Sequence, residues 1–207
     1  MTHSLHRQGS KENLQDDFAL MCIPTLATFN EAPQKAARFL EIIKKYCPDN
    51  YGVISRGNKY THDDVALIEA LNISPAIFCV INRKDDLTSI FRELKEDDLG
   101  LSVVVNGIYE IIEECCQQAG LQPHTVNHSL GVWGSTDKLP SKETLEIITM
   151  CGHGQVGTNL VYHLLEEIKK GKISVREAAE TLAKPCICGF FNTKRTESLL
   201  KQILKST

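Results

Sequence analysis

Short apolar runs alternate with segments of helical periodicity through the first 130 residues of the chain. Apolar runs bounded by turn residues are typical of buried strands, whereas apolar residues three or four positions apart are typical of amphipathic helices. The predicted strands cover residues 17–29, 51–55, 76–81, 101–105 and 125–130, and the predicted helices cover residues 34–46, 85–96 and 108–119. A capping box, Thr61-x-x-Asp64, predicts a further helix start between the second and third strands.

Strands that alternate with helices are typical of βαβ units, in which each helix covers the sheet that its flanking strands build. We therefore predict an α/β fold with a four- to five-stranded, mostly parallel or mixed sheet flanked by helices. This part of the chain extends to about residue 135.

Beyond residue 135 the predicted elements are helices. Residues 141–148 and 194–205 have helical periodicity, and an apolar stripe from Leu160 to Ile168 stops at Gly171. A second capping box, Ser174-x-x-Glu177, begins a helix that ends before Pro185. The sequence thus predicts an α/β domain over residues 1–135 and a helical C-terminal region over residues 136–207, packed together as one unit.

Composition narrows the classes of function. The 207 residues carry a net charge of −3, whereas proteins that neutralise nucleic-acid phosphates show a basic excess. No apolar run reaches the roughly 20 residues of a membrane span, and the start has no apolar signal core. Eight cysteines without a signal peptide favour free thiols, metal ligands or redox cysteines over disulfides. We expect a cytoplasmic protein that binds neither nucleic acid nor membrane.

The leading candidate site is formed by two loops rich in sulfur. Cys151-Gly-His153 and Cys186-x-Cys188 each place two ligand side chains two positions apart, beside glycines. The intervening residues are enough for two helices and a return, so the fold could bring the two loops together. Three thiols and one imidazole would suit tetrahedral zinc or an iron–sulfur cluster with one unusual ligand. We predict a metal or cluster site with a redox or metal-handling role.

The same glycines support an alternative hypothesis, an enzyme for a small anionic or phosphorylated ligand. Gly152, Gly154 and Gly157 precede a strong helix, and a glycine-rich turn at a helix N-terminus exposes backbone N–H groups to an anion. A helix N-terminus also lowers the pKa of a thiol, so Cys151 could act as a nucleophile with His153 as its base.

Histidines elsewhere in the chain extend this alternative. His124 and His128 would face one side of the last predicted strand, which makes His128 a second candidate for acid–base chemistry. His3 and His6 share a face of a helical turn, and a folded N-terminus could bring Arg7 to an anion. A third hypothesis is a non-catalytic assembly partner, a homo-oligomer joined through residues 1–130, which are net acidic, and residues 131–207, which are net basic.

The other five cysteines fit structural roles. Cys115 and Cys116 continue an apolar stripe at helical spacing, and vicinal thiols could bind a soft metal if exposed. Cys22 and Cys79 lie in apolar strands, and Cys47 ends a helix before Pro48.

Overall fold

The computed structural model describes the backbone of residues 3–206 and the side chains of residues 5–205. The strands are β1 (Phe18–Pro24), β2 (Asn50–Val53), β3 (Gly57–Asn58), β4 (Ile77–Ile81) and β5 (Leu101–Asn106). The α-helices are α1 (Lys11–Leu14), α2 (Ala32–Lys44), α3 (Asp64–Ala70), α4 (Lys84–Asp97), α5 (Tyr109–Gln118), α6 (Lys142–Ile148), α7 (Thr158–Lys169), α8 (Val175–Ala183) and α9 (Thr193–Ser206). Short 3-10 helices span His3–His6, Leu26–Glu31 and Thr136–Lys138.

The strands form one sheet in the order β3-β2-β4-β1-β5, and every neighbouring pair is antiparallel. The α/β class is confirmed, but the prediction of a mostly parallel or mixed sheet is wrong. β1 and β2 run in the same direction with β4 between them, and β4 and β5 run in the same direction with β1 between them. Two βαβ units are therefore interleaved, the split βαβ arrangement, so each crossover leaves a gap that an antiparallel strand of the other unit fills.

Each face of the sheet is buried by a different group of helices. Along β1, Phe18, Leu20 and Cys22 join one apolar cluster together with α2, α3, α4 and α5. The alternate residues Ala19 and Met21 join a second cluster with α6, α7, α8 and α9. This period of two follows from the pleat of a strand. The C-terminal helices thus cover one face of the sheet, and the two cysteine loops lie among them.

The segment between α5 and α6 differs from its prediction. Residues 125–130, predicted as a strand, have no strand partner, and residues 122–139 are all exposed. Polar and apolar residues alternate here, but neither the polar nor the apolar residues are buried in a core. The alternation alone was therefore insufficient to predict a strand. None of the described helices combines the length and the apolar character that crossing a membrane requires.

Candidate thiol site

The two predicted loops lie at helix ends on the same face of the sheet. Cys151 ends a turn that follows α6, and its carbonyl accepts the Gly154 N–H at 3.0 Å. Cys186 and Cys188 lie between α8 and α9, in a turn closed by the Gly189 N–H and the Cys186 carbonyl at 3.1 Å. Both loops contribute to the second apolar cluster.

The three thiols come together in the interior. The exposed fractions of Cys151, Cys186 and Cys188 are 2%, 0% and 0%. The Sγ atoms of Cys186 and Cys188 are 3.8 Å apart, and the Cys151 thiol is hydrogen-bonded to Cys186. Cys186 is therefore the middle member of a chain of three hydrogen-bonded thiols, which we call the thiol cluster.

The sheet fixes the position of the Cys186–Cys188 loop. Gly189 has φ of +85°, and a Cβ there would lie 2.4 Å from the carbonyl carbon of Tyr51 in β2. Only glycine permits this close backbone approach. Asn58 of β3 donates its side-chain amide to the carbonyls of Ala183 and Cys186, at 2.9 and 2.7 Å. The loop is thus anchored to the β2–β3 hairpin on both sides of the thiols.

The thiols differ in acidity along the chain. The hydrogen bond to Cys186 and burial raise the pKa of Cys151. At Cys186 the bond from Cys151 lowers the pKa, but the bond to Cys188 and burial outweigh it and raise the pKa to about 12. The hydrogen bond from Cys186 lowers the pKa of Cys188, against burial, and the Arg7 cation lowers it further. Cys188 is therefore the most acidic thiol of the cluster.

Backbone N–H groups also contact the sulfurs. Cys151 accepts hydrogen bonds from the N–H groups of His153 and Gln155, and Cys186 and Cys188 accept from the N–H of Phe190. N–H donors directed at sulfur favour the thiolate over the thiol, and such hydrogen bonds are among the interactions by which proteins adjust metal–thiolate centres.

Arg7 connects both cysteine loops to the sheet. Its guanidinium donates to the carbonyls of Met150 and Phe190, at 2.9 and 2.7 Å, so it contacts the residue before Cys151 and the residue after Gly189. It also forms a bidentate pair with Asp17, at 2.7 and 2.9 Å. Arg7 thus contacts both cysteine loops, and the anion with which it pairs is a buried carboxylate of the protein.

Asp17 is the centre of a buried polar network. Besides the hydrogen bonds from Arg7, Asp17 accepts one from Arg195 Nη1 at 2.8 Å and one from Asn192 Nδ2 at 2.9 Å. Burial would raise the pKa of Asp17, but Arg7 and then Arg195 lower it to about 2. Asn192 also caps α9, because its Oδ1 accepts the Arg195 N–H at 2.9 Å.

Asp17, Asn192 and Arg195 were not predicted as site residues from the sequence. The available signals were an aspartate directly before an apolar strand and an asparagine at a helix start. Neither signal indicates which partner the side chain will meet.

The structure does not bring His153 to the three thiols. Its side chain is exposed, whereas the thiols are buried. Among the described side chains, no group of three or more His, Cys, Asp or Glu is arranged to hold a metal ion. The thiol cluster is thus a hydrogen-bonded chain of sulfurs rather than a finished coordination shell.

The glycine turn before α7 is open. Gly157 is the N-cap of α7 and supplies no side-chain cap, and Gly154 has φ of +67°. A Cβ at either position would meet no atom within 4 Å, and Gly152 lies between the buried Cys151 and the exposed His153. The space beside Gly154 and Gly157 is therefore open.

The other candidate histidines lie elsewhere. His124 and His128 are exposed and line a cavity beside β5, and the lining of that cavity contains none of the three clustered thiols. The ring of His128 contacts Tyr109 edge-on, with ring centroids 5.6 Å apart. His6 is exposed, and the side chain of His3 lies outside the described residues.

Four of the remaining cysteines lie in the core, where the sequence placed them. All four are buried in the first apolar cluster: Cys22, Cys79, Cys115 and Cys116. Cys47 is exposed at the end of α2, in a left-handed backbone conformation with φ of +46°.

The geometry of the thiol cluster is therefore the basis for a functional hypothesis. We compared the chain with protein-family models, with curated proteins and with solved structures, and none of them matches it.

Proposed function

We propose that Cys151, Cys186 and Cys188 bind a single soft metal ion and that the protein uses or handles this ion. The observation that carries the proposal is the 3.8 Å separation of Cys186 Sγ and Cys188 Sγ. Two sulfurs bound to one zinc ion at about 2.3 Å and at the tetrahedral angle lie about 3.8 Å apart. In a [4Fe–4S] cluster each cysteine binds a different iron atom and the sulfurs lie further apart, so a single ion is favoured over a cluster of that type.

The surroundings of the thiols support the same proposal. Thiols must lose their protons to bind a metal, and the Phe190 N–H and the Arg7 cation favour the anionic form of Cys188. In the proposed step the ion replaces the protons that connect the three sulfurs, and it draws Cys151 and Cys188 around one centre. Three protein ligands leave a fourth position for water or for a transferred ligand, as in catalytic zinc sites.

Replacing Cys186 by serine tests the proposal, because this change removes the middle thiol. We expect the apparent affinity for Co²⁺, measured anaerobically from sulfur-to-cobalt charge-transfer absorption, to fall by about a hundredfold or more. Loss of an outer hydrogen-bond partner of a ligand alone costs about 10- to 100-fold.

Cys115→Ser is the matched control for this experiment. Cys115 is also buried, but it lies in the other apolar cluster and its Sγ donates to the Lys84 carbonyl at 3.7 Å. Cobalt should bind to this variant as it binds to the wild type. Equal losses in the two variants, or no charge-transfer band in the wild type, would contradict the proposal.

A second candidate function, reversible oxidation of Cys186 and Cys188 by a peroxide, is favoured by the 3.8 Å separation of their Sγ atoms and by the lowered pKa of Cys188. The Cys188 thiolate would attack the peroxide oxygen of H₂O₂ and become a sulfenic acid, and hydroxide would leave to form water with a proton. The Cys186 thiol would then attack this sulfenic acid, so that a disulfide forms and a second water leaves.

This candidate predicts a measurable loss of thiols. Hydrogen peroxide should remove one pair of titratable thiols from the wild type, and dithiothreitol should restore the pair. Cys188→Ser should lose no pair, whereas Cys79→Ser, altered in the other cluster, should behave as the wild type. If peroxide also removed a pair of titratable thiols from Cys188→Ser, this function would be eliminated.

A further inference from the structure

A groove of about 820 Å³ runs along the outer edge of β5. One wall includes the consecutive residues 102–107 and the other includes the consecutive residues 122–129. None of the three clustered thiols lines this groove, and Arg7, which contacts both cysteine loops, lies in its lining.

Consecutive lining by β5 shows that the groove follows the edge of the strand. Side chains of a strand alternate between its two faces, so a cavity over one face would be lined by every second residue. β5 pairs with β1 on one side, and no described strand lies on the other. An edge strand presents backbone N–H and C=O groups to any chain that lies beside it.

The sequence of β5 does not discourage pairing. Natural edge strands are commonly protected by charged residues or by proline, and the segment Leu-Ser-Val-Val-Val-Asn has neither. Its six residues span about 20 Å. A groove of this length beside an open strand edge suits an extended chain better than a compact small molecule.

The charge of the lining indicates the kind of chain. Lys95 contributes an ammonium that donates to the Gly120 carbonyl at 2.9 Å, and the uncapped N-terminus of α5 lies at one end of the groove. The one carboxylate of the lining, Asp17, already pairs with Arg7 and Arg195. The potential of the groove therefore favours an acidic occupant.

We propose that this groove binds an extended acidic peptide segment of a partner protein, which pairs with β5 as an added strand. A second copy of the chain fits less well, because its β5 segment, Leu-Ser-Val-Val-Val-Asn, carries no acidic residue. Leu130 and Trp133, 85% and 81% exposed in the same loop, offer the partner an apolar contact outside the groove.

Fluorescence anisotropy with the full chain tests this proposal directly. The probe is a fluorescein-labelled peptide of about six residues in which valine and glutamate alternate. Two matched probes carry lysine in place of glutamate, or N-methyl groups on alternate amides. We expect the acidic probe to bind and both matched probes to bind at least about tenfold more weakly, a difference of about 1.4 kcal/mol.

Variants of exposed histidines test whether the peptide binds in the groove beside β5. The double variant His124→Glu, His128→Glu adds negative charge to the groove wall and should weaken the acidic probe about tenfold. His163→Glu, an exposed position on α7, should leave its binding unchanged.

Three outcomes would overturn the proposal. The N-methylated peptide could bind as well as the acidic one, which would exclude strand pairing. The probe could fail to bind altogether. The β5 amides that do not pair with β1 could be protected from hydrogen exchange without peptide, in a dimer or a monomer, which would show that a second copy or residues 122–129 already pair there.

Discussion

Replacing Arg7 by methionine is expected to lower the free energy of unfolding by about 3–5 kcal/mol, the loss typical of a buried ion pair that loses one partner. The Arg7 side chain is 5% exposed and its partner Asp17 is fully buried. Methionine fills a similar volume but donates no hydrogen bonds. It would leave Asp17 with one cation and remove the donor from the carbonyls of Met150 and Phe190.

Urea unfolding followed by far-ultraviolet circular dichroism measures this loss. Fluorescence is less suitable, because the single tryptophan, Trp133, is already exposed in the folded protein. Arg38→Met is the matched control, because Arg38 forms ion pairs with Asp97 and Glu41 at the surface. Exposed pairs contribute little to stability, so the control should lose much less.

Arg7→Lys separates charge from geometry. Lysine keeps the positive charge near Asp17. A single ammonium group, however, cannot donate hydrogen bonds to one carboxylate and two carbonyls at the same time, as the planar guanidinium of arginine does. We expect the free energy of unfolding of Arg7→Lys to lie between those of the wild type and Arg7→Met. If Arg7→Met lost no more than Arg38→Met, the Arg7 contacts would not be what connects the cysteine loops to the sheet.

The elements that local sequence determines were predicted well. Residues 34–46 were predicted as a helix and α2 spans Ala32–Lys44, while residues 76–81 and 101–105 were predicted as strands and correspond to β4 and β5. Apolar spacing carries this information because it records which side of each element is buried. Spacing does not record which strands become neighbours. The antiparallel interleaving of the two βαβ units was therefore missed.

The candidate site was predictable only in part, for a related reason. Cys151, Cys186 and Cys188 share a chemistry and lie in loops at helix ends, so sequence reasoning could group them. His153 shares their spacing, but it follows Cys151 in a turn whose next residues are exposed. Local spacing gave no indication of which side chain would turn inward.

The network around Asp17 was not predictable from sequence, because its members are far apart in the chain. Arg7 and Arg195 meet one carboxylate from opposite ends of the sequence. None of these residues belongs to a recognisable pattern of spacing. Their burial follows from the tertiary fold, which brings the N-terminal segment and the start of α9 to the same end of β1.

Acid is expected to destabilise the protein through Asp17. The usual pKa of this carboxyl group is 3.8, and its two arginines lower the folded-state pKa to about 2. A lowered pKa contributes stability that is fully present above the unfolded-state value and is lost as the pH falls through the folded-state value. We expect a loss of about 2 kcal/mol from this carboxyl group between about pH 5 and pH 2.

Asp17→Asn should remove this part of the acid dependence and also lower stability at neutral pH. Asparagine carries no charge, so Arg7 and Arg195 would remain buried without their anion, at an expected loss of about 3–5 kcal/mol at pH 7. The measurement is urea unfolding at a series of pH values from about 7 to 2. The difference in stability between the wild type and the variant should shrink by about 2 kcal/mol at low pH, because protonated Asp17 is also uncharged.

Asp97→Asn provides the control for the acid dependence. The pKa of Asp97 is also lowered, through its hydrogen bond with Arg38, but this pair lies at the surface. Solvent screens such a pair, so its removal should leave the acid dependence close to that of the wild type. If Asp17→Asn kept the full acid dependence, other carboxyl groups would be its source. The two arginines would then stabilise the Asp17 carboxylate no better than water does, and burial of the network would have to be explained by packing alone.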